Sequence, residues 1–181
     1  MKLLFGLILI LVFQSVALYD VQNVIGTHEI KDFKLTRCIG TDGDPINLEN
    51  VTITIGNEVK PVVTGVFSTE IDLYPPLKVS TLLERKIFFW IVMPCVNNMG
   101  TCTFNDICKY SRPVGEACPA VFKNLPCRCP VKKGTYQIPP RISNVFKESV
   151  IFSGEYKGTI NIFSNGTRLA CYDTSFKIYD A

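Results

Sequence analysis

Histidine is almost missing from this chain: His28 is the only one in 181 residues. A Ser-His-Asp or Cys-His catalytic set would rest on that single imidazole. A zinc site would have to draw on cysteines whose spacings fit no common zinc motif. Charge of one sign is lacking too. Nineteen basic residues face 16 acidic ones, with no basic run, which excludes a nucleic-acid binder. No phosphate-cradling glycine loop is present, since Gly154-Glu155-Tyr156-Lys157-Gly158 lies inside an alternating stretch. Glu84, Glu116, Glu148 and Glu155 supply carboxylates, but no spacing sets two of them across a substrate. Internal repeats, low-complexity tracts and long linkers are absent, and helical periodicity is confined to a turn at Phe104 to Tyr110. With no catalytic set, no metal and no cofactor expected, the chain reads as a binder.

The first residues are set apart from the rest. Lys2 precedes an apolar run, Leu3 to Phe13, and small residues follow at Ser15 and Ala17. This is the pattern of a secretory signal cut after Ala17, and the run is shorter than the ~20 apolar residues that span a bilayer. Residues 1–17 are therefore expected to be a signal peptide, and 18–181 a single domain large enough for a real core.

Eight cysteines behind such a signal read as four disulfides formed in an oxidising compartment. Six fall between Cys95 and Cys129. Cys127 and Cys129, with one residue between them, are too close to pair without strain. Cys95 and Cys102 are able to close a local loop, and Cys38 and Cys171 suit each other if the first and last strands meet. The other pairings stay open. Two sequons, Asn50-Val51-Thr52 and Asn165-Gly166-Thr167, agree with secretion and belong on the surface.

Short alternating segments fill the domain. The leading segment, Leu18 to Thr36, holds an early strand around Val21, Val24 and Ile25. Val51 to Ile55, Val59 to Phe67 and Thr69 to Tyr74 read as strands, followed by a break at Pro75-Pro76. Leu77 to Leu83 and Ile87 to Met93 form a pair joined by Glu84-Arg85-Lys86. Gly134 to Ile138 is another short strand. Gly154 to Phe163 places Tyr156, Ile160 and Ile162 on one side. Asn165-Gly166 signals a hairpin. Leu169 to Tyr179 completes it, with Tyr172, Phe176 and Ile178 on one face. Many short strands with Pro and Gly turns predict an all-β sandwich or open barrel.

Two apolar clusters remain to be placed. In Lys86-Ile87-Phe88-Phe89-Trp90 the apolar residues fit either a central strand buried on both sides or a membrane interface, with Arg85 and Lys86 meeting head groups. The second cluster, Val145-Phe146 and Val150-Ile151-Phe152, fits either a core strand or a second lipid-facing loop beside Lys147.

Specific motifs then narrow the choice. Pro76-Leu77-Lys78-Val79, Leu83-Glu84, Trp90-Ile91-Val92-Met93-Pro94-Cys95 and Gly100-Thr101-Cys102-Thr103-Phe104 appear in that order. Pro113-Val114-Gly115-Glu116-Ala117-Cys118-Pro119, Leu125-Pro126-Cys127-Arg128-Cys129-Pro130 and Lys133-Gly134-Thr135-Tyr136 follow. In order and spacing this set resembles the ganglioside activators of the ML lipid-recognition superfamily, over about Cys38 to Cys171.

The resemblance implies an all-β, Ig-like antiparallel β-sandwich opened into a β-cup with an apolar lipid cavity. It implies the disulfides Cys38–Cys171, Cys95–Cys102, Cys108–Cys129 and Cys118–Cys127, and a glycan at Asn50. It sets Lys86 to Trp90 at the mouth, touching membrane, and Val145 to Ser153 as a second mouth loop. The expected partners are a glycolipid or phospholipid, a membrane surface and a glycosidase, in the extracellular space or the lysosomal lumen. An extracellular carrier or sensor of a hydrophobic signal or microbial lipid is the competing expectation. The chain departs from the family in three places. Val150 stands near a tryptophan of the family pattern, the loop from Asp106 to Pro113 is shorter, and the Asn165 sequon lies at a turn the family leaves bare.

Overall fold

A computed structural model describes residues 28–55, 61–96, 98–113, 115–118, 126–138 and 152–180. Nine strands are found among them: β1 (His28–Arg37), β2 (Ile46–Ile55), β3 (Pro61–Thr69), β4 (Leu77–Lys86), β5 (Trp90–Val92), β6 (Thr103–Phe104), β7 (Gly134–Ile138), β8 (Gly154–Ser164) and β9 (Thr167–Asp180). Among the described residues a 3-10 turn, Ile107–Tyr110, lies where a turn is expected. All described pairings between these strands are antiparallel. One sheet runs β1-β9-β8-β4-β5, with β6 also on β4, and the other runs β2-β3-β7.

Register separates the two faces of the large sheet. Leu77, Val79, Leu83 and Arg85 of β4 stand opposite Ser164, Ile162, Gly158 and Tyr156 of β8. Tyr156, Ile160 and Ile162 in turn oppose Phe176, Tyr172 and Ala170 of β9. That face is apolar. The residues between them, Lys78, Glu84, Lys86, Glu155, Lys157, Asp173 and Lys177, make the other face charged. Alternation of this kind marks a sheet with one face turned to the interior and the other to water. The Asn165–Gly166 hairpin forms as expected, with positive φ at both residues (48° and 81°), the geometry a two-residue primed turn demands.

Among the described residues the two sheets lock together at one end. Ile46, Leu73, Leu77, Leu169, Ala170 and Tyr172 form the buried cluster there. The Tyr172 hydroxyl accepts a 2.8 Å bond from the Leu48 amide across the gap between β9 and β2. Arg37 donates to the Thr41 carbonyl at 2.7 Å and to the Ile46 carbonyl at 2.9 Å, holding the β1–β2 connection. Beyond this end the apolar inner side chains Val63, Leu83, Ile160 and Phe176 are only half-buried by the described residues, while Tyr156 and Ile178 on the same face are buried. A closed sandwich interdigitates its inner faces, so this one is splayed into a cup.

The disulfides Cys38–Cys171, Cys95–Cys102, Cys108–Cys129 and Cys118–Cys127 are the pairing that the resemblance implies. Cys108, Cys129 and Val131 pack against the buried cluster. The stapled segment therefore reinforces the closed end.

The early strand expected around Val21, Val24 and Ile25 lies outside the described residues, of which β1 is the first strand. Two expectations are corrected. Thr69 to Tyr74 is no strand beyond the end of β3: only Leu73 pairs, in an isolated bridge with Val131. The Thr69 hydroxyl donates to the Ile71 carbonyl, which bends the chain there. Glu84-Arg85-Lys86 is the end of β4 and not a loop, because each residue finds a partner on β8.

Candidate functional site

The open end of the cup collects the last residues of β4, the first of β8 and the turn into β5. Lys86 pairs with Trp90, so Ile87, Phe88 and Phe89 form a three-residue hairpin tip. Tips of this length ordinarily use Gly, Asn or Asp. Here all three are apolar, and they stand 55%, 93% and 69% exposed. The expectation of a central strand buried on both sides is thus overturned: β5 is a three-residue edge strand with no buried residue. Three adjacent exposed apolar side chains are costly in water, and such a patch marks an interaction site.

Trp90 behaves differently from the tip. It shares the outer face with Lys86, and its ring lies 4.5 Å from the Lys157 ammonium and 6.0 Å from that of Lys86. Those lysines also bond Glu84 and Glu155 at 3.3 and 3.1 Å. The ring is therefore clamped among charges, an arrangement suited to a head-group layer.

Phe152, from the second apolar cluster, comes beside β4 and stands 50% exposed. Val145, Phe146, Val150 and Ile151 lie outside the described residues. The Arg85 guanidinium sits 5.1 Å from the Phe152 ring and donates to the Ser153 carbonyl at 2.6 Å. The Tyr156 hydroxyl donates to the Phe152 carbonyl at 2.6 Å, and its ring stacks on Phe176 at 5.1 Å between centroids. Burial raises the Tyr156 hydroxyl's pKa above its ordinary value, against the lowering influence of Arg85, so Tyr156 stays a neutral donor. Gly154 completes the arrangement. A Cβ there would stand 3.1 Å from Arg85 Nε, so the absent side chain makes room for the guanidinium.

Thus Lys86, Ile87, Phe88, Phe89, Trp90 and Phe152 come together at one end. The Tyr156–Phe176 stack below them carries no motif and is found only through strand register. Asn50 is exposed at a β2 bulge with φ of 50°, and Asn165 is exposed in its turn. Among the described residues no group of three His, Cys, Asp or Glu side chains is placed to hold a metal.

Comparison with known proteins fits this architecture. The ML domain family matches residues 32–178 of the chain. Ganglioside GM2 activator of Macaca fascicularis is 34% identical over 153 residues, covering 79% of this chain and 75% of that protein. Ganglioside GM2 activator of Mus musculus is 33% identical over 140 residues, covering 71% of this chain and 72% of that protein.

Proposed function

The chain belongs to the ML domain family of lipid-recognition proteins, and from that premise we propose that it is a secreted carrier that lifts a lipid from a membrane by its acyl chains. The observation that carries the reading is the apolar inner face left half-covered beyond the closed end, beside an apolar tip at the mouth. The protein is a binder and not an enzyme. Residues 1–17 act as the secretory signal, and the mature domain works in the extracellular space or the lysosomal lumen.

Ile87, Phe88 and Phe89 enter the bilayer interface while Lys86, Lys157 and Trp90 rest among head groups. An acyl chain then moves from the bilayer into the cup. The transfer exchanges one apolar medium for another, and once in the cup each methylene is held out of water by about 0.8 kcal/mol. The disulfides brace the closed end and the segments beside it, each stabilising by roughly 2–4 kcal/mol. Phe152 stands at the second lip. Because the relatives are named as activators of a ganglioside, the finer reading is a glycolipid presented to a glycosidase.

The test is transfer of an acyl-labelled glycolipid between donor and acceptor vesicles. Transfer proportional to protein concentration is expected; none at any concentration contradicts the carrier. Addition of β-hexosaminidase separates the finer reading. Faster hydrolysis of vesicle-borne ganglioside is expected from presentation, and intact transfer with unchanged hydrolysis leaves a carrier without that partner.

A further inference from the structure

Asn165-Gly166-Thr167 is a sequon that lipid carriage leaves unused, and the fold sets it at the tip of the β8–β9 hairpin. All three residues are exposed. A Cβ built on Gly166 would meet nothing within 4 Å, so the space over the turn is open. β8 begins at Gly154, beside Arg85 at the mouth, and ends at Ser164. At roughly 3.3 Å per strand residue, the turn stands about 30 Å from the lip.

The connections around that turn are apolar at their surface. Arg168 Nε donates to the Asp44 carboxylate at 2.9 Å, tying the hairpin to the β1–β2 connection. The Ser164 hydroxyl donates to the Tyr74 carbonyl at 3.4 Å, tying it to the segment after β3. The Glu70 amide donates to the Pro45 carbonyl at 3.0 Å and joins those two connections to each other. Together they present Ile39, which is fully exposed, and Ile71 and Tyr74, which are about half-exposed. Ile46, Leu73, Leu77 and Tyr172 fill the space beneath, so the three exposed side chains lie outside the cup. Apolar side chains gathered at one end of a secreted protein invite self-association unless something covers them.

We infer that Asn165 carries an N-linked glycan and that this glycan covers the apolar side chains of the closed end, so that the cup adheres by its mouth and not by its base. Such a glycan is bulky and solvated. Its sugars turn C–H faces to Ile39, Ile71 and Tyr74 while their hydroxyls stay in water. The turn residues then serve twice: Asn165 meets the positive φ that the hairpin demands and supplies the acceptor amide.

The full protein, secreted by eukaryotic cells, tests the site. Enzymatic removal of N-glycans in heavy-oxygen water labels each asparagine that carried one, and peptide mapping by mass spectrometry locates the label. Label at Asn165 is expected in most chains. An unlabelled Asn165 overturns the inference.

Thr167→Ala tests the covering role, since it removes the sequon and keeps Asn165 in its turn; Thr167→Ser keeps the sequon and is the control. In sedimentation velocity Thr167→Ala should shift to larger species as concentration rises, while Thr167→Ser should match the parent protein. Ile39→Ser added to Thr167→Ala should reverse the shift. If Thr167→Ala is not secreted, enzymatic deglycosylation of folded Asn50→Gln protein gives the same comparison. Sedimentation unchanged by loss of the glycan overturns the covering role, as does a shift that Ile39→Ser leaves in place. Lipid transfer per chain, measured below the concentration of the shift, should be equal in Thr167→Ala and Thr167→Ser. Slower transfer by Thr167→Ala alone would set the glycan's action at the mouth and contradict its place at the base. The inference stands apart from the carrier reading, which fails only if none of these proteins moves lipid.

Discussion

Lys157 holds its ammonium 4.5 Å from the centre of the Trp90 ring, on the charged outer face of the cup. Just before Trp90 the chain presents Phe88 and Phe89, both largely exposed among the described residues. The aromatic cluster therefore divides into a clamped ring and a free tip. The tip should supply the larger share of membrane affinity. Phe88→Ala is expected to weaken vesicle co-sedimentation about tenfold or more, since burying such a ring is worth roughly 1.5–3 kcal/mol. Trp90→Ala should weaken it less and lower the melting temperature as well. Equal binding by Phe88→Ala and the parent protein would remove the tip from the membrane contact.

A different bond governs stability at the far end. Tyr172→Phe leaves the Leu48 amide without its bond from β9, at a site where the two sheets meet. The expected loss is about 1–3 kcal/mol in denaturant unfolding. Lipid uptake should be unchanged, because the bond lies in the closed end.

The tie between β1 and β9 should matter more. Replacing both Cys38 and Cys171 with serine removes a bridge that spans 133 residues of sequence. Loss of a native disulfide typically costs 2–5 kcal/mol. Reduced secretion and a lower melting temperature are the expected readouts. An unaltered melting temperature would contradict the role given to that bridge.

Tyr156 makes a prediction in the alkaline range. Its folded pKa is raised, chiefly by burial, above the ordinary 10.0. The neutral phenol is thus favoured in the fold, and the associated stability is fully present below pH 10.0. It declines as pH rises from there through the folded pKa, because the unfolded chain releases the proton first. Tyr156→Phe should flatten that decline in thermal melts recorded across the range. An equally steep decline in the variant would assign the alkaline loss to other groups.

Much of the fold is visible in the sequence where alternation and turn chemistry agree. Tyr156, Ile160 and Ile162 share a face as their spacing predicts, and Asn165-Gly166 makes the hairpin its residues demand. The strand β1 hides because a bulge interrupts its period. Ile30 and Leu35 lie an odd five residues apart yet face the same way, with Asp32 at φ of 55° taking up the extra residue. The mouth hides for the opposite reason. Glu84-Arg85-Lys86 has the polarity of a loop and Ile87-Phe88-Phe89 that of a strand, but the roles are exchanged. Pairing with β8 extends β4 through the charges, and the apolar residues are left to turn. Only the family resemblance points to that arrangement from sequence, because hairpin tips are ordinarily polar. The inward course of Arg85 follows from its register with Tyr156, which no local pattern reveals.

The carrier account is tested most directly by native mass spectrometry of the secreted, glycosylated protein, with organic extraction of whatever it holds. One lipid per chain, released intact by the solvent, is the expected result. A mass equal to that of the glycosylated chain alone, together with no uptake of an acyl-chain fluorophore, would mean that the sheets close on each other, and would contradict the cup.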